Sequence, residues 1–248
     1  MLTKNQEKLI RSLAVRKNRK KSGLFVAEGL KLVTDLISAG LAVQNIFLTE
    51  GSSEAFAVTE QTIELSIQEM KSISFLETPS PVLALFEQPV RLSEFQSDTG
   101  LILLLDRIQD PGNMGTLLRS ALWYGVEHIG FVKGCVDAFN PKVVQASMGA
   151  LAHLQCVERS AEEWVEWSAS NGRRLLVADM DGTPAAEMNW TSKDILVLGN
   201  EGQGCDVAFK AVGNKVTLPG NTAKMESLNV AISGATLLYA YATASSEL

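Results

Sequence analysis

Pairable cysteine is missing from this sequence. Among 248 residues only Cys135, Cys156 and Cys205 occur, odd in number and never in a Cys-x-x-Cys spacing. That excludes a disulfide framework and a thiolate zinc site, and leaves three small buried hydrophobes in a reducing compartment as the expectation. Histidine is scarcer. His128 and His153 sit in separate apolar surroundings, so each reads as a core or edge residue and no metal is expected. No Gly-x-Gly-x-x-Gly turn follows an early strand and no Gly-Lys-Ser/Thr closes a glycine loop, which excludes a dinucleotide-binding turn and a nucleoside triphosphate P-loop. No stretch reaches the roughly 20 apolar residues of a membrane span; the most apolar one, near the C-terminus, has about 15. The charged N-terminus has no apolar segment behind it, so a signal peptide is not expected and a cytoplasmic location is. There is no internal repeat and no low-complexity segment.

The length suggests one or two domains burying roughly 70–75% of the unfolded surface. The net charge of −6 hides an asymmetry. Residues 1–21 carry Lys4, Lys8, Arg11, Arg16, Lys17, Arg19, Lys20 and Lys21 against Glu7, a local +7 that leaves −13 on the remainder. A cationic end on an acidic body is either a phosphate-binding footprint or a solvated helix tip, and charge alone leaves both open.

Leu2, Gln6, Leu9, Ile10 and Leu13 recur at helical spacing, so the basic residues lie on or just beyond a short amphipathic helix. Phe25 to Ala27, Val43 to Leu48 and Val82 to Phe86 read as strands; Gly29 to Ser38 and Ser66 to Ser72 read as helices. Residues 88–100 have linker composition. A small α/β domain is therefore expected over 1–90 and a linker over 91–100. From Leu101 the pattern changes. Leu101 to Leu105 is a continuous apolar run, as in a strand buried on both faces. After the turn signal Asp110-Pro111-Gly112-Asn113 come an expected helix over 114–124, strand 128–132, helix 141–149, strand 151–157, helix 160–171, strand 174–179, a turn at Asp181-Gly182, strand 195–198, helix 206–212, strand 215–218 and a C-terminal helix with Ser227 or Asn229 as N-cap. Alternating strands and helices predict a mostly parallel sheet over 101–248, with ligands at the carboxyl ends of its strands.

Three polar loops leave those ends. One is Asp106 to Gly115, leading into a helix that bears Arg119. The second is Gly199-Asn200-Glu201-Gly202-Gln203-Gly204. The third, Pro219 to Asn229, lies against the most apolar helix, a setting in which polar residues are seldom buried without a use. Convergence of Arg119, Glu201, Ser227 and Asn229 is the expectation.

Asn113-x-Gly115-x-x-x-Arg119, Leu198-Gly199-Asn200-Glu201-Gly202 and Glu226-Ser227-Leu228-Asn229-Val230 resemble the three ordered motifs of the SPOUT superfamily, in its SpoU/TrmH branch of S-adenosylmethionine-dependent RNA ribose 2′-O-methyltransferases. Phe139 to Val144 and Ser147 to Ala150 resemble that family's segment between motifs one and two. The likeness is strong over about residues 100–242. It is weaker over 1–90, which resemble a substrate-binding domain related to ribosomal proteins.

The resemblance implies an α/β SPOUT domain with a parallel sheet and a deep trefoil knot, preceded by a small α/β RNA-binding domain. It also implies a homodimer joined through the motif-one and C-terminal helices, with RNA as substrate. By position it puts S-adenosylmethionine against Gly199, Leu218 and Leu228, with Gly202 and Pro219 beside them. Carried over likewise, Arg119, Asn113, Glu201, Ser227 and Asn229 form the catalytic group. Arg119 is a base in family proposals, yet a guanidinium stays protonated in nearly every setting, so gripping a phosphate and a developing alkoxide suits it better. Glu201 is a base or a loop anchor, and Asn113 a ribose-fixing group or a helix N-cap. Ribosomal RNA is favoured over transfer RNA, with Arg11, Arg16, Lys17, Arg19, Lys20 and Lys21 as the electrostatic grip. An idle RNA-binding assembly factor derived from such an enzyme is the competing reading.

Overall fold

The computed structural model describes residues 1–52, 60–89, 92–97, 99–221 and 223–244. The chain forms two compact units, residues 1–90 with 137–152 and residues 91–136 with 153–248.

In the first unit, helices α1 (Lys4–Ser12) and α2 (Arg16–Ser22) precede β1 (Leu24–Glu28), α3 (Leu30–Ser38), β2 (Val43–Thr49), β3 (Thr62–Leu65), α4 (Ile67–Ile73) and β4 (Val82–Glu87). Helix α1 begins in a capping box of Thr3 with Gln6, and α4 in one of Ser66 with Glu69, so each first turn has its amides paired by side chains. The strands lie in the order β1-β4-β2-β3, antiparallel except for β2 with β3. Strand β3 was not expected from the sequence; Thr62 to Leu65 is too short to show a period. Ile10, Leu13, Phe47, Met70 and Leu83 share one core cluster. On β1, Phe25 stacks on Phe86 and meets Phe139 at 5.1 Å between ring centres. Phe139 leads into α6 (Pro141–Ser147), which packs on β1 and so belongs with this unit.

The second unit holds β5 (Ile102–Leu105), α5 (Pro111–Trp123), β6 (His128–Val132), β7 (Gln155–Arg159), α7 (Ala161–Ser170), β8 (Arg174–Pro184), β9 (Asp194–Leu198), α8 (Val207–Val212), β10 (Asn214–Thr217) and α9 (Val230–Ala244). Its sheet runs β10-β8-β9-β5-β6-β7 and every pairing is parallel. Trp164 of α7 and Phe209 of α8 join Leu104, Val177 and Val197 in one core. Helices α5 and α9 pack on each other. A Cβ at Gly234 would collide with Leu117 and Leu198, so a glycine lets α9 approach α5 and β9 closely. The chain runs outward from β5 to β6 and β7, then returns to place β9 on the other side of β5. Order therefore reverses between β5 and β9, where ligands of open α/β sheets bind.

Two local expectations fail. The strand expected over 151–157 starts at Gln155, because Ala150 to Ala152 form a 3-10 turn. Asp181-Gly182 is no turn between elements but part of β8. Lys215 pairs with Val177 and Val216 with Thr183, so residues 178–182 bulge out of register. Gly182, at φ 156°, faces the Lys215 backbone too closely for any side chain. No helix among the described residues is long and apolar enough to cross a membrane, and no described group of three or more His, Cys, Asp and Glu could hold a metal ion.

Candidate active site

Loops one and two are tied together at the ends of β5 and β9. Asp106, fully buried, accepts from Arg107 Nε at 2.8 Å and Nη2 at 3.1 Å, and from the Asp206 amide at 2.6 Å. Arg107 has φ 55°, a left-handed conformation that turns its carbonyl to the Asn200 amide group at 3.0 Å. Its Nη2 donates to the Gly204 carbonyl at 3.3 Å. The Asn200 side chain also accepts from Gly202 N and Gln203 N, and Gly204 N donates to the Asn200 carbonyl. Loop two is thus a closed turn around one asparagine. A Cβ at Gly199 would collide with the Gly204 and Cys205 backbone. The glycine is needed by the loop's own closure, whereas Gly202 has ordinary space around it.

A short relay joins all three loops. Asn113 Nδ2 donates to Glu201 Oε1 at 2.8 Å, and Asn229 Nδ2 donates to Asn113 Oδ1 at 3.0 Å. The backbone makes this possible. Asp110 caps α5 by accepting from the Asn113 amide at 2.8 Å, and Pro111 occupies the first turn, where its missing N–H costs nothing. Asn113 is therefore not the N-cap, and its side chain is left to bridge. Asn229 is the cap of α9, accepting from Ala231 N at 2.9 Å and Ile232 N at 3.3 Å. Ser227 lies before the cap.

Beside the relay is a cavity of about 390 Å³, within the roughly 300–1,000 Å³ of small-molecule sites. Leu198, Val216, Leu218, Leu228 and Leu237 give it apolar walls; Gly199, Glu201, Pro219 and Ser227 also line it. So does Asp179, which motif reading missed because it lies on the β8 bulge, 3.6 Å from Lys215 Nζ and 4.0 Å from Lys210 Nζ. Cys205 is in the lining too, but burial pushes its thiol up to about 12, so it is neither a thiolate nucleophile nor a charge at neutral pH. A pocket with apolar walls, backbone and hydroxyl groups, and two carboxylates, Asp179 and Glu201, against one cation, Lys210, fits a nucleoside that carries a positive charge.

Gly202 and Arg119 are not among the lining residues. Arg119 is exposed on α5, about 9 Å along the axis from Asn113 and a third of a turn round. In the first unit, Arg11, Lys17, Lys20 and Lys21 are exposed and Arg16 is half-buried. Arg19 has to be withdrawn from the phosphate-gripping group. It is 1% exposed, with Nε and Nη2 on Asp137 at 2.8 and 2.7 Å and Nη1 on the Leu13 and Ala14 carbonyls. It is a core ion pair with its donors engaged.

The sequence matches the SpoU rRNA Methylase family over residues 100–239 and the MRM3-like substrate binding domain over residues 4–84. It is 29% identical over 240 residues to the 23S rRNA (guanosine(2553)-2'-O)-methyltransferase RlmP of Bacillus subtilis, covering 95% of this chain and 96% of that protein. Its fold is similar to a putative RNA methyltransferase of the TrmH family from Porphyromonas gingivalis (TM-score 0.86, 37% identity, 97% of this chain and 98% of that one). It is also similar to an AdoMet-bound rRNA methyltransferase from Sinorhizobium meliloti (TM-score 0.86, 27% identity, 97% and 95%).

Proposed function

The chain belongs to the SpoU rRNA methylase family, and from that premise we propose that it methylates a ribose 2′-hydroxyl of ribosomal RNA with S-adenosylmethionine. The observation that carries the reading is the Glu201–Asn113–Asn229 relay, which draws three loops together beside an apolar cavity. When bound, S-adenosylmethionine supplies a methyl group already activated on a cationic sulfur. Leu218 and Leu228, in the cavity lining, would wall its adenine and exclude water, and Gly199 and Pro219 would bring backbone against it. Because the donor is activated, what the protein contributes is alignment, worth roughly 7–11 kcal/mol in favourable cases. Glu201, oriented by Asn113, and Ser227 and Asn229 hold the ribose beside the cavity. Arg119 grips the adjacent phosphate and stabilises the developing alkoxide, because its charge persists at any working pH.

Four further features belong to the proposal. Trp123 on α5 and Ile232 and Tyr239 on α9 are exposed, at 81%, 56% and 55%. Such surface on two packed helices supports a homodimer joined through them. The C-terminal segment threads as a trefoil knot, a reading supported by β10 lying outside β8 while α9 returns to α5. Arg11, Lys17, Lys20 and Lys21 supply sequence-independent attraction to RNA, and the Bacillus subtilis relative supports a cytoplasmic setting.

Calorimetry with S-adenosylmethionine, then labelled methyl transfer to ribosomal RNA, tests the reading; mapping ribose methylation in cells with and without the protein names the nucleotide. Cofactor binding without transfer to any RNA would leave the idle RNA-binding factor in its place.

A further inference from the structure

The segment around Phe139 to Ala150 has no part in the cavity just described, yet it helps build another. Within the first unit, a cavity of about 340 Å³ lies between the end of β1, the stretch after α4 and the first turns of α6. Phe75, Leu76 and Pro141 give it apolar walls, and its polar lining is confined to Glu28, Glu77, Lys142 and Gln145.

Glu28 is the group that needs explaining. It is 3% exposed at the end of the edge strand β1, with no cation paired to it among the described residues. Its carboxylate is held in one orientation by the Ser74 hydroxyl at 2.7 Å and the Phe75 amide at 2.6 Å. These bonds take one acceptor site on each oxygen, and a carboxylate offers about four. Burial outweighs both bonds and leaves Glu28 above the ordinary carboxylate range. On the same lining, Lys142 and Gln145 carry donors. A flat ligand with two adjacent N–H donors beside a carbonyl satisfies both sets at once. Among the RNA bases that description fits the N1–H, N2–H and O6 edge of guanine. Adenine and cytosine offer a single amine beside a ring-nitrogen acceptor, and uracil one N–H between two carbonyls.

We propose that this cavity takes an unpaired guanine of the RNA substrate, with N1–H and N2–H donated to Glu28, O6 held by Lys142 or Gln145, and the ring against Phe75. The proposal rests on the RNA-substrate reading above, and it adds a base-reading site in the unit that matches a substrate-binding domain. Unpaired bases splayed onto aromatic side chains are how sequence is read in RNA.

The test uses the full-length protein saturated with S-adenosylmethionine, so that the other cavity is filled. Fluorescence anisotropy compares an RNA hexamer of uridines carrying one central guanosine with all-uridine, adenosine- and cytidine-substituted hexamers. The guanosine hexamer should bind about tenfold tighter than the others, the discrimination typical of one bidentate base contact. Glu28→Gln keeps acceptors and donors for Ser74 and Phe75 but loses the second oxygen. It should bind all four hexamers alike, with wild-type affinity for the uridine one and an unchanged melting temperature. Gln145→Ala, which touches neither structural bond, should lower the preference as well, and it serves if Glu28→Gln unfolds. Equal binding of the four hexamers by the wild type, or a preference that survives both substitutions, overturns the proposal. Methyl transfer measured on the same preparation separates the two readings. Transfer without base preference removes only the guanine site, and base preference without transfer removes only the activity.

Discussion

Asn113 and Asn229 are one hydrogen bond apart and differ in what else they do. Asn229 caps α9; Asn113 caps nothing, because Asp110 does so for α5. Asn113→Ala should therefore leave the melting temperature near wild type while methyl transfer falls roughly 10- to 150-fold, the range for a lost hydrogen bond to a charged group. Asn229→Ala should lose activity and also about 1 kcal/mol of stability with the cap. Equal melting curves for the two variants would contradict the assignment. His128 gives a pH signature. Burial first, then the charge of Arg173, lowers its pKa below 6.5 in the folded state. A base whose folded pKa is depressed contributes stability that is present above the unfolded value and lost as pH falls through the folded one. The melting temperature should drop on acidification below about pH 6.5, and more steeply than in His128→Gln. A matching slope in the variant would show that other groups carry the acid sensitivity.

Helix α9 sets two opposing effects against each other at Gly234. Alanine in a helix interior is better than glycine by about 1 kcal/mol. At this position the added methyl meets Leu117 and Leu198, and overpacking of that kind costs about 1–3 kcal/mol. Overpacking wins, so Gly234→Ala should lower the melting temperature by a few degrees instead of raising it, as differential scanning calorimetry would register. Loop two is stricter. Gly199→Ala meets the Gly204–Cys205 backbone, which cannot yield as a side chain would, so the turn around Asn200 has to open. Its expected effect is loss of S-adenosylmethionine binding in calorimetry with the sheet intact by circular dichroism. Strand and helix identities were legible because Leu101 to Leu105 and the Asp110-Pro111-Gly112 turn act locally. The β8 bulge was not, because its cause is the Lys215 backbone, remote in sequence.

For the whole molecule, the apolar surface of α5 and α9 and the charge asymmetry make separate predictions. Charges placed on the exposed face, Trp123→Lys with Tyr239→Lys, should give a monomer in sedimentation and abolish methyl transfer. A variant that stays dimeric would move the interface elsewhere. Replacing Arg11, Lys17, Lys20 and Lys21 by glutamine should flatten the salt dependence of RNA binding, by up to roughly 0.7 in slope for each single-strand phosphate that is no longer neutralised. Arg19 is left out because its ion pair with Asp137 is buried; Arg19→Gln should destabilise the fold by about 3–5 kcal/mol, the cost of leaving a buried charge unpaired.

The order of strands and helices, the three loops and the family they belong to were present in the sequence alone, because periodicity, turn residues and short motifs are encoded by neighbours along the chain. Which asparagine caps and which bridges, that Gly199 serves the loop's own closure, that Arg19 is core and that Asp179 faces the cavity were decided only in the folded chain. The bridge, the Arg19 pair and the Asp179 placement depend on atoms contributed from far away in sequence, and the Gly199 closure on how closely the backbone returns to itself; a linear pattern of residue types records neither.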